Sequence, residues 1–164
     1  MSCDRVLPKA LPADDPVHST HHLQLDPLPR LVSQARDFVL ENAPDLPPET
    51  RDVLRLLTSE LVTNAVLHAR TRLEVGMTVT QRSVVVTVHD LDLTRSAQQP
   101  YPAREGGWGL GLVSALSEQY AMEVHVEGGK TARFRLPRGE MPAVSDEAAA
   151  RPAARAIAGD GGTP

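Results

Sequence analysis

Ser59-Glu60-Leu61-Val62-Thr63-Asn64-Ala65-Val66-Leu67-His68-Ala69 is mostly apolar, yet Glu60, Asn64 and His68 recur at every fourth position. Residues four apart on an α-helix are neighbours, so these three form one polar stripe along an otherwise apolar rod. A buried carboxylate or carboxamide costs free energy unless something pairs with it. The stripe therefore points to a polar ligand or a metal ion lying against the helix. The plainer alternative is the solvated face of an amphipathic helix, and the flanking sequence has to separate the two.

Upstream, Pro44-Asp45-Leu46-Pro47-Pro48 breaks the chain, and Pro48 suits a first helical turn, where a missing N–H costs nothing. The stripe thus belongs to a helix over Pro48–His68. Before it, Leu28, Leu31, Val32, Ala35, Phe38 and Val39 have helical spacing and predict a helix over Leu28–Asn42, preceded by a short strand at Thr20–Leu25. After it, Arg72–Thr80 alternates and Ser83–Asp90 is Val-rich, predicting a hairpin turned at Gln81-Arg82. Leu91 to Gly107 reads as a long polar loop, and such loops inside a compact domain are usually functional. A third helix is expected over Leu110–Gln119, then strands at Met122–Glu127 and Thr131–Leu136 joined by Gly128-Gly129. The order β-α-α-β-β-loop-α-β-β predicts an α+β fold whose sheet is mixed or antiparallel, with helices on one face.

The chain has 164 residues, 41% of them hydrophobic and only 3% aromatic, so one domain with a Leu/Val/Ala core is expected. Residues 1–18, with Pro8, Pro12 and Pro16, read as a flexible leader, 19–137 as the domain, and 138–164 as a disordered tail with a transient helix through Asp146–Ala154. A net charge of -4 with scattered basic residues argues against a nucleic-acid partner. No apolar run has the length of a membrane span, and the single cysteine, Cys3, suits a reducing cytoplasm. His18, His21 and His22 are expected to be solvated rather than to ligate a metal.

Several further residues suit nucleotide chemistry. The Asn64 carboxamide oxygen is a hard donor for Mg²⁺, and Glu60, one turn earlier, is placed to accept a proton from an attacking hydroxyl or water. Gly106-Gly107-Trp108-Gly109-Leu110-Gly111-Leu112 puts glycines where a helix starts, and free N–H groups there suit phosphate oxygens. Asp90 ends a strand and can accept from an exocyclic amine, or simply form a turn. Gly128-Gly129-Lys130-Thr131 does not complete a phosphate-binding loop of the Walker type, because Val124 stands where a glycine is needed and a strand follows. Thr131 is expected to point its hydroxyl inward, and Arg104 and Lys130 to lie at the solvated surface.

Together, in this order, these elements resemble the GHKL (Bergerat-fold) ATPases over about residues 20–137. The Glu60/Asn64/His68 segment resembles the family's N box, Asp90 the aspartate of its G1 box, Gly107 to Leu112 its G2 box, and Thr131 the threonine that follows. Size and spacing are most similar to the bacterial anti-sigma-factor serine/threonine kinases. The resemblance implies ATP with Mg²⁺ as cofactors, Glu60 as proton acceptor and Asn64 on the metal. It implies Asp90 on the adenine amine, the Gly107, Gly109, Leu110, Gly111 and Leu112 segment under the phosphates, and Thr131 in the nucleotide site. It also implies a two-layer α/β sandwich, a mixed, mostly antiparallel sheet under three helices, with the Leu91–Gly107 loop as a lid over the ATP. His68 is expected to pack against that lid or to hydrogen-bond locally. As partners it implies a sigma factor and an antagonist protein that receives the phosphate, and it implies a homodimer. The G1 pattern Asp-x-Gly-x-Gly is incomplete, since Asp92 and Thr94 replace its glycines. That departure keeps a second reading in view: a nucleotide-gated binding module that sequesters a regulator without phosphoryl transfer.

Overall fold

A computed structural model of the chain describes residues 14–68, 71–90, 108–125 and 129–139. The elements are β1 (Val17–Leu25), a 3₁₀ turn (Pro29–Leu31), α1 (Val32–Asn42), α2 (Pro48–His68), β2 (Leu73–Thr80), β3 (Ser83–Asp90), α3 (Trp108–Leu116), β4 (Gln119–Val124) and β5 (Lys130–Pro137). The strands form one sheet in the order β1-β2-β3-β5-β4. All four pairings are antiparallel, so the sheet is not mixed. The two tight hairpins already force β2 against β3 and β4 against β5 this way, and β1 and β5 complete the pattern.

Strand alternation sends one set of side chains toward the helices: Leu73, Val75, Met77 and Val79 from β2, Val84, Val86 and Val88 from β3, and Ala132, Phe134 and Leu136 from β5. They meet Ala35 and Val39 of α1, Leu54, Leu57, Leu61 and Ala65 of α2, and Val113 of α3. The α2 set recurs at three and four residues, the apolar stripe that a helix needs to bury one face. Each fully buried Leu or Phe contributes about 1.5–3 kcal/mol relative to exposure. Among the described residues no helix is long and apolar enough to cross a membrane.

Several boundaries differ from expectation, among them the start of α1, which lies at Val32 rather than Leu28 because a 3₁₀ turn over Pro29–Leu31 comes first. The first strand begins at Val17 rather than Thr20, and Asp15 before it is buried, 3% exposed. Its carboxylate accepts hydrogen bonds from Thr80 Oγ1 (2.7 Å) and the Arg82 N–H (2.9 Å). Residues 14–18 are therefore pinned to the β2–β3 turn, not part of a free leader. Helix α3 spans Trp108–Leu116 rather than Leu110–Gln119, and β4 begins at Gln119 rather than Met122. The Glu118 N–H already donates to the Arg135 carbonyl (3.0 Å), so sheet pairing takes over where the helix would continue. The lid expected at Leu91–Gly107, the transient helix at Asp146–Ala154, Arg104 and residues 1–13 and 140–164 lie outside the described residues.

Candidate functional site

Four elements bring their ends to one end of the sandwich. The Thr50 hydroxyl, in the first turn of α2, donates to the Gly139 carbonyl just past the end of β5. Helix α2 has 21 residues and spans about 31 Å; β5 has 8 and spans about 26 Å. Because α2 starts where β5 ends, the two run in opposite directions, and the Asn64–His68 end of α2 comes to lie over the Lys130 end of β5. Antiparallel pairing of β3 with β5 places Asp90 opposite Lys130, at the same end. Helix α3 ends beside the start of β4, and the two-residue connection turns the chain back, so its glycine-bearing N-terminus points to that end as well.

The stripe on α2 looks toward α3. At about 100° per residue, Val62 and Val66 lie on one flank of the buried Leu57/Leu61 line, and Glu60 and Asn64 on the other. Val66 and Thr63 line a groove with Val32, Ser33 and Arg36 of α1, so the opposite flank faces α3, which packs on α2. Glu60 and Asn64 are both half-buried. His68 is the last residue of α2. Gly107 lies outside the described residues. Gly109, Leu110, Gly111 and Leu112 lie inside α3, because the helix opens at Trp108. Among the described residues this segment therefore offers the N–H groups of the first turn of α3.

Gly111 is exposed, and a Cβ added there would meet nothing within 4 Å. Among the described residues packing does not demand glycine at this point, while glycine in a helix interior costs about 1 kcal/mol. Asp90 is 2% exposed and Lys130 8%, and Lys130 Nζ lies 3.4 Å from Asp90 Oδ2. Lys130 is not at the solvated surface. It faces the helix layer because Ala132, Phe134 and Leu136 do, and the alternation carried one step back reaches Lys130.

The same alternation puts Thr131 on the other face of the sheet, away from Asp90 and α2. Its hydroxyl there lies 2.9 Å from His89 Nδ1 and 2.8 Å from His125 Nε2, and the two rings meet edge to face with centroids 5.4 Å apart. Burial and the neighbouring His125 hold the His89 imidazole below its ordinary value, against the pull of Asp90 and Glu74. Further along this face His22 Nδ1 meets Glu74 Oε1 at 3.2 Å, and Arg133 pairs with Glu123 at 3.2 Å. No three His, Cys, Asp or Glu side chains among the described residues are placed to hold a metal ion.

Glu60, Asn64, Asp90, Lys130 and the N-terminal turn of α3 therefore share one end, and Thr131 does not join them. This end combines a polar helix flank, a buried carboxylate at a strand end and a glycine-bearing helix start, groups whose chemistry suits a nucleotide. The family model of the histidine kinase-like ATPase domain matches residues 25–136, more than half of the chain, and the chain belongs to that family. Its domain is accordingly an ATP-binding, kinase-like ATPase domain of the GHKL superfamily. Comparison with curated proteins found no match.

Proposed function

We propose that the chain is an ATP-dependent protein serine/threonine kinase that acts as an anti-sigma regulator, phosphorylating an antagonist protein and otherwise holding a sigma factor inactive. The observation that carries the nucleotide part is the convergence of Asn64, Asp90 and the start of α3 on one end of the sandwich. Phosphoryl transfer asks a protein mainly for positioning and charge stabilisation. Asn64 offers a carboxamide oxygen on an open flank and fits Mg²⁺, which prefers oxygen donors and keeps several waters. When bound, magnesium neutralises phosphate charge. Glu60, one turn away on the same flank, accepts the proton of the attacking hydroxyl. Asp90 accepts a hydrogen bond from the base amine, and the free N–H groups at the start of α3 hold phosphate oxygens. The partner assignment rests on the likeness of size and motif spacing to anti-sigma kinases, and the same reading carries a homodimer through β1 and α1.

The test is transfer of label from γ-labelled ATP to a small antagonist protein, with light scattering of the same preparation to read the dimer. Wild type is expected to mark a serine or threonine of the antagonist, and Glu60→Gln to lose the transfer by about a hundredfold or more. Label that survives the substitution would exclude Glu60 as the proton acceptor. The second reading, a nucleotide-gated module without transfer, is favoured by Asp92 and Thr94 at the G1 positions. Calorimetry separates the two: tight nucleotide binding with no transfer selects the module, and absence of nucleotide binding removes both.

A further inference from the structure

The start of α1 and the end of α2 leave a groove of about 360 Å³ between them, on the flank of α2 opposite Glu60 and Asn64. At their connected end the two helices are tied together, where Arg51 Nη2 donates to the Leu40 carbonyl (3.2 Å). The apolar part of the groove is Val32 of α1 with Val66 and Leu67 of α2, and Leu67 is 57% exposed. Arg30 comes two residues before Val32 and Arg36 one turn after it, and both line the groove. Two cations thus bracket the apolar patch, about 9–10 Å apart along the backbone. Among the described residues no aspartate or glutamate lines the groove. These two arginines differ from the others. Arg55, Arg72, Arg82, Arg133 and Arg135 pair with carboxylates, and Arg51 and Arg138 donate to backbone carbonyls. The Arg30 and Arg36 guanidinium groups make no ion pair or hydrogen bond among the described residues. The chain as a whole carries a net charge of -4, so the groove is a local patch of the opposite sign.

Both walls are helical, and a helix pairs its backbone N–H and C=O groups internally. A segment entering the groove therefore finds no ladder to join and must pair its own backbone, which a helix does. The guanidinium fork matches a carboxylate with two parallel hydrogen bonds. Glutamates seven residues apart on a helix share a face and stand about 10 Å apart, the spacing of the two arginines. We propose that the groove docks an acidic amphipathic helix of a partner protein. Its apolar side chains cover Val32, Val66 and Leu67, and two of its carboxylates meet Arg30 and Arg36. The inference does not need the nucleotide reading, because the groove and the Glu60/Asn64 flank lie on opposite sides of α2.

The experiment titrates the full chain, without nucleotide, with a synthetic helical peptide of about 18 residues. The peptide carries leucines at three- and four-residue spacing between two glutamates seven apart on the same face, and a control peptide carries glutamines in place of the glutamates. Fluorescence anisotropy of the labelled peptides reads affinity, and amide NMR shifts of the chain read location. Wild type is expected to bind the acidic peptide about tenfold more tightly than the control, with shifts centred on Val32, Arg36 and Val66. Raised salt is expected to narrow that difference. The double variant Arg30→Gln/Arg36→Gln is expected to lose the preference, and Leu67→Ala to weaken both peptides about threefold or more. Equal binding of the two peptides by wild type, or binding of neither, would overturn the inference, and this arm needs no variant to fold. So would a preference that survives in the double variant, or shifts centred away from the groove. Light scattering covers the remaining occupant: self-association of wild type that the arginine changes abolish would put a second copy of the chain in the groove and remove the partner. Calorimetry with ATP reads the nucleotide site separately, so the failure of either reading leaves the other standing.

Discussion

Tyr120, on β4, turns toward the helix layer opposite Phe134, and its hydroxyl is buried with no hydrogen-bond partner among the described residues. Burial alone pushes that phenol up to about 12. A buried donor without a partner costs its desolvation, whereas the ring itself packs well. Tyr120→Phe is therefore expected to raise stability by about 1 kcal/mol, read by urea unfolding with unchanged slope. A loss of stability would mean that the hydroxyl has a partner in the folded protein. At this scale Glu60 and Asn64 were legible, because a helix imposes its period of neighbours on a short window of sequence. Lys130 was not, because its environment is made by Asp90, forty residues earlier, across a strand pairing.

Strand β2 is an interior strand of the antiparallel sheet and contains Gly76, which sits between His22 of β1 and Thr87 of β3. A Cβ built there would stand 2.5 Å from Thr87 Oγ1 and 3.6 Å from His22 Nδ1. Threonine is stiff at χ1 and cannot simply swing aside. Gly76→Ala is expected to destabilise by about 1–3 kcal/mol, and adding Thr87→Ala to recover much of that loss. Additive losses in the double variant would place the strain elsewhere. The elements themselves were readable almost to the residue for Pro48–His68 and Ser83–Asp90, where proline, turn residues and unbroken periodicity mark both ends. They were misjudged at β1, α3 and β4. There the boundary is set by a contact from a distant segment: Thr80 and Arg82 for the start of β1, Arg135 for the end of α3.

Across the whole molecule, Asp15 ties the chain's approach to β1 to the turn between β2 and β3 and to β5. Its carboxylate lies 3.3 Å from Arg135 Nη2 and accepts from Thr80 and Arg82. Burial would raise its carboxyl, but the hydrogen bonds from Thr80 and the Arg82 N–H and the charges of Arg135 and Arg82 outweigh that and hold it below its ordinary 3.8. A lowered folded value means that the unfolded chain takes up the proton first as pH falls. The contribution is complete above that ordinary value and is lost as pH drops through the folded one. Asp15→Asn is expected to cost about 2–3 kcal/mol at neutral pH and to flatten the acid limb of the stability curve below about pH 4. An acid limb unchanged from wild type would show that other carboxylates govern acid unfolding.

The periods and punctuation of the chain were enough to establish the helix bearing the polar stripe, the Val-rich hairpin, the glycine-bearing helix and the α+β order of elements. Those signals are local: each depends on residues within a turn or two of one another. The facing of Lys130 and Thr131, the burial of Asp15 and the meeting of Asn64 with Asp90 at one end arose only when distant strands paired. A one-residue step along a strand reverses the side on which a side chain stands, and only the packed core against the sheet chooses which side that is.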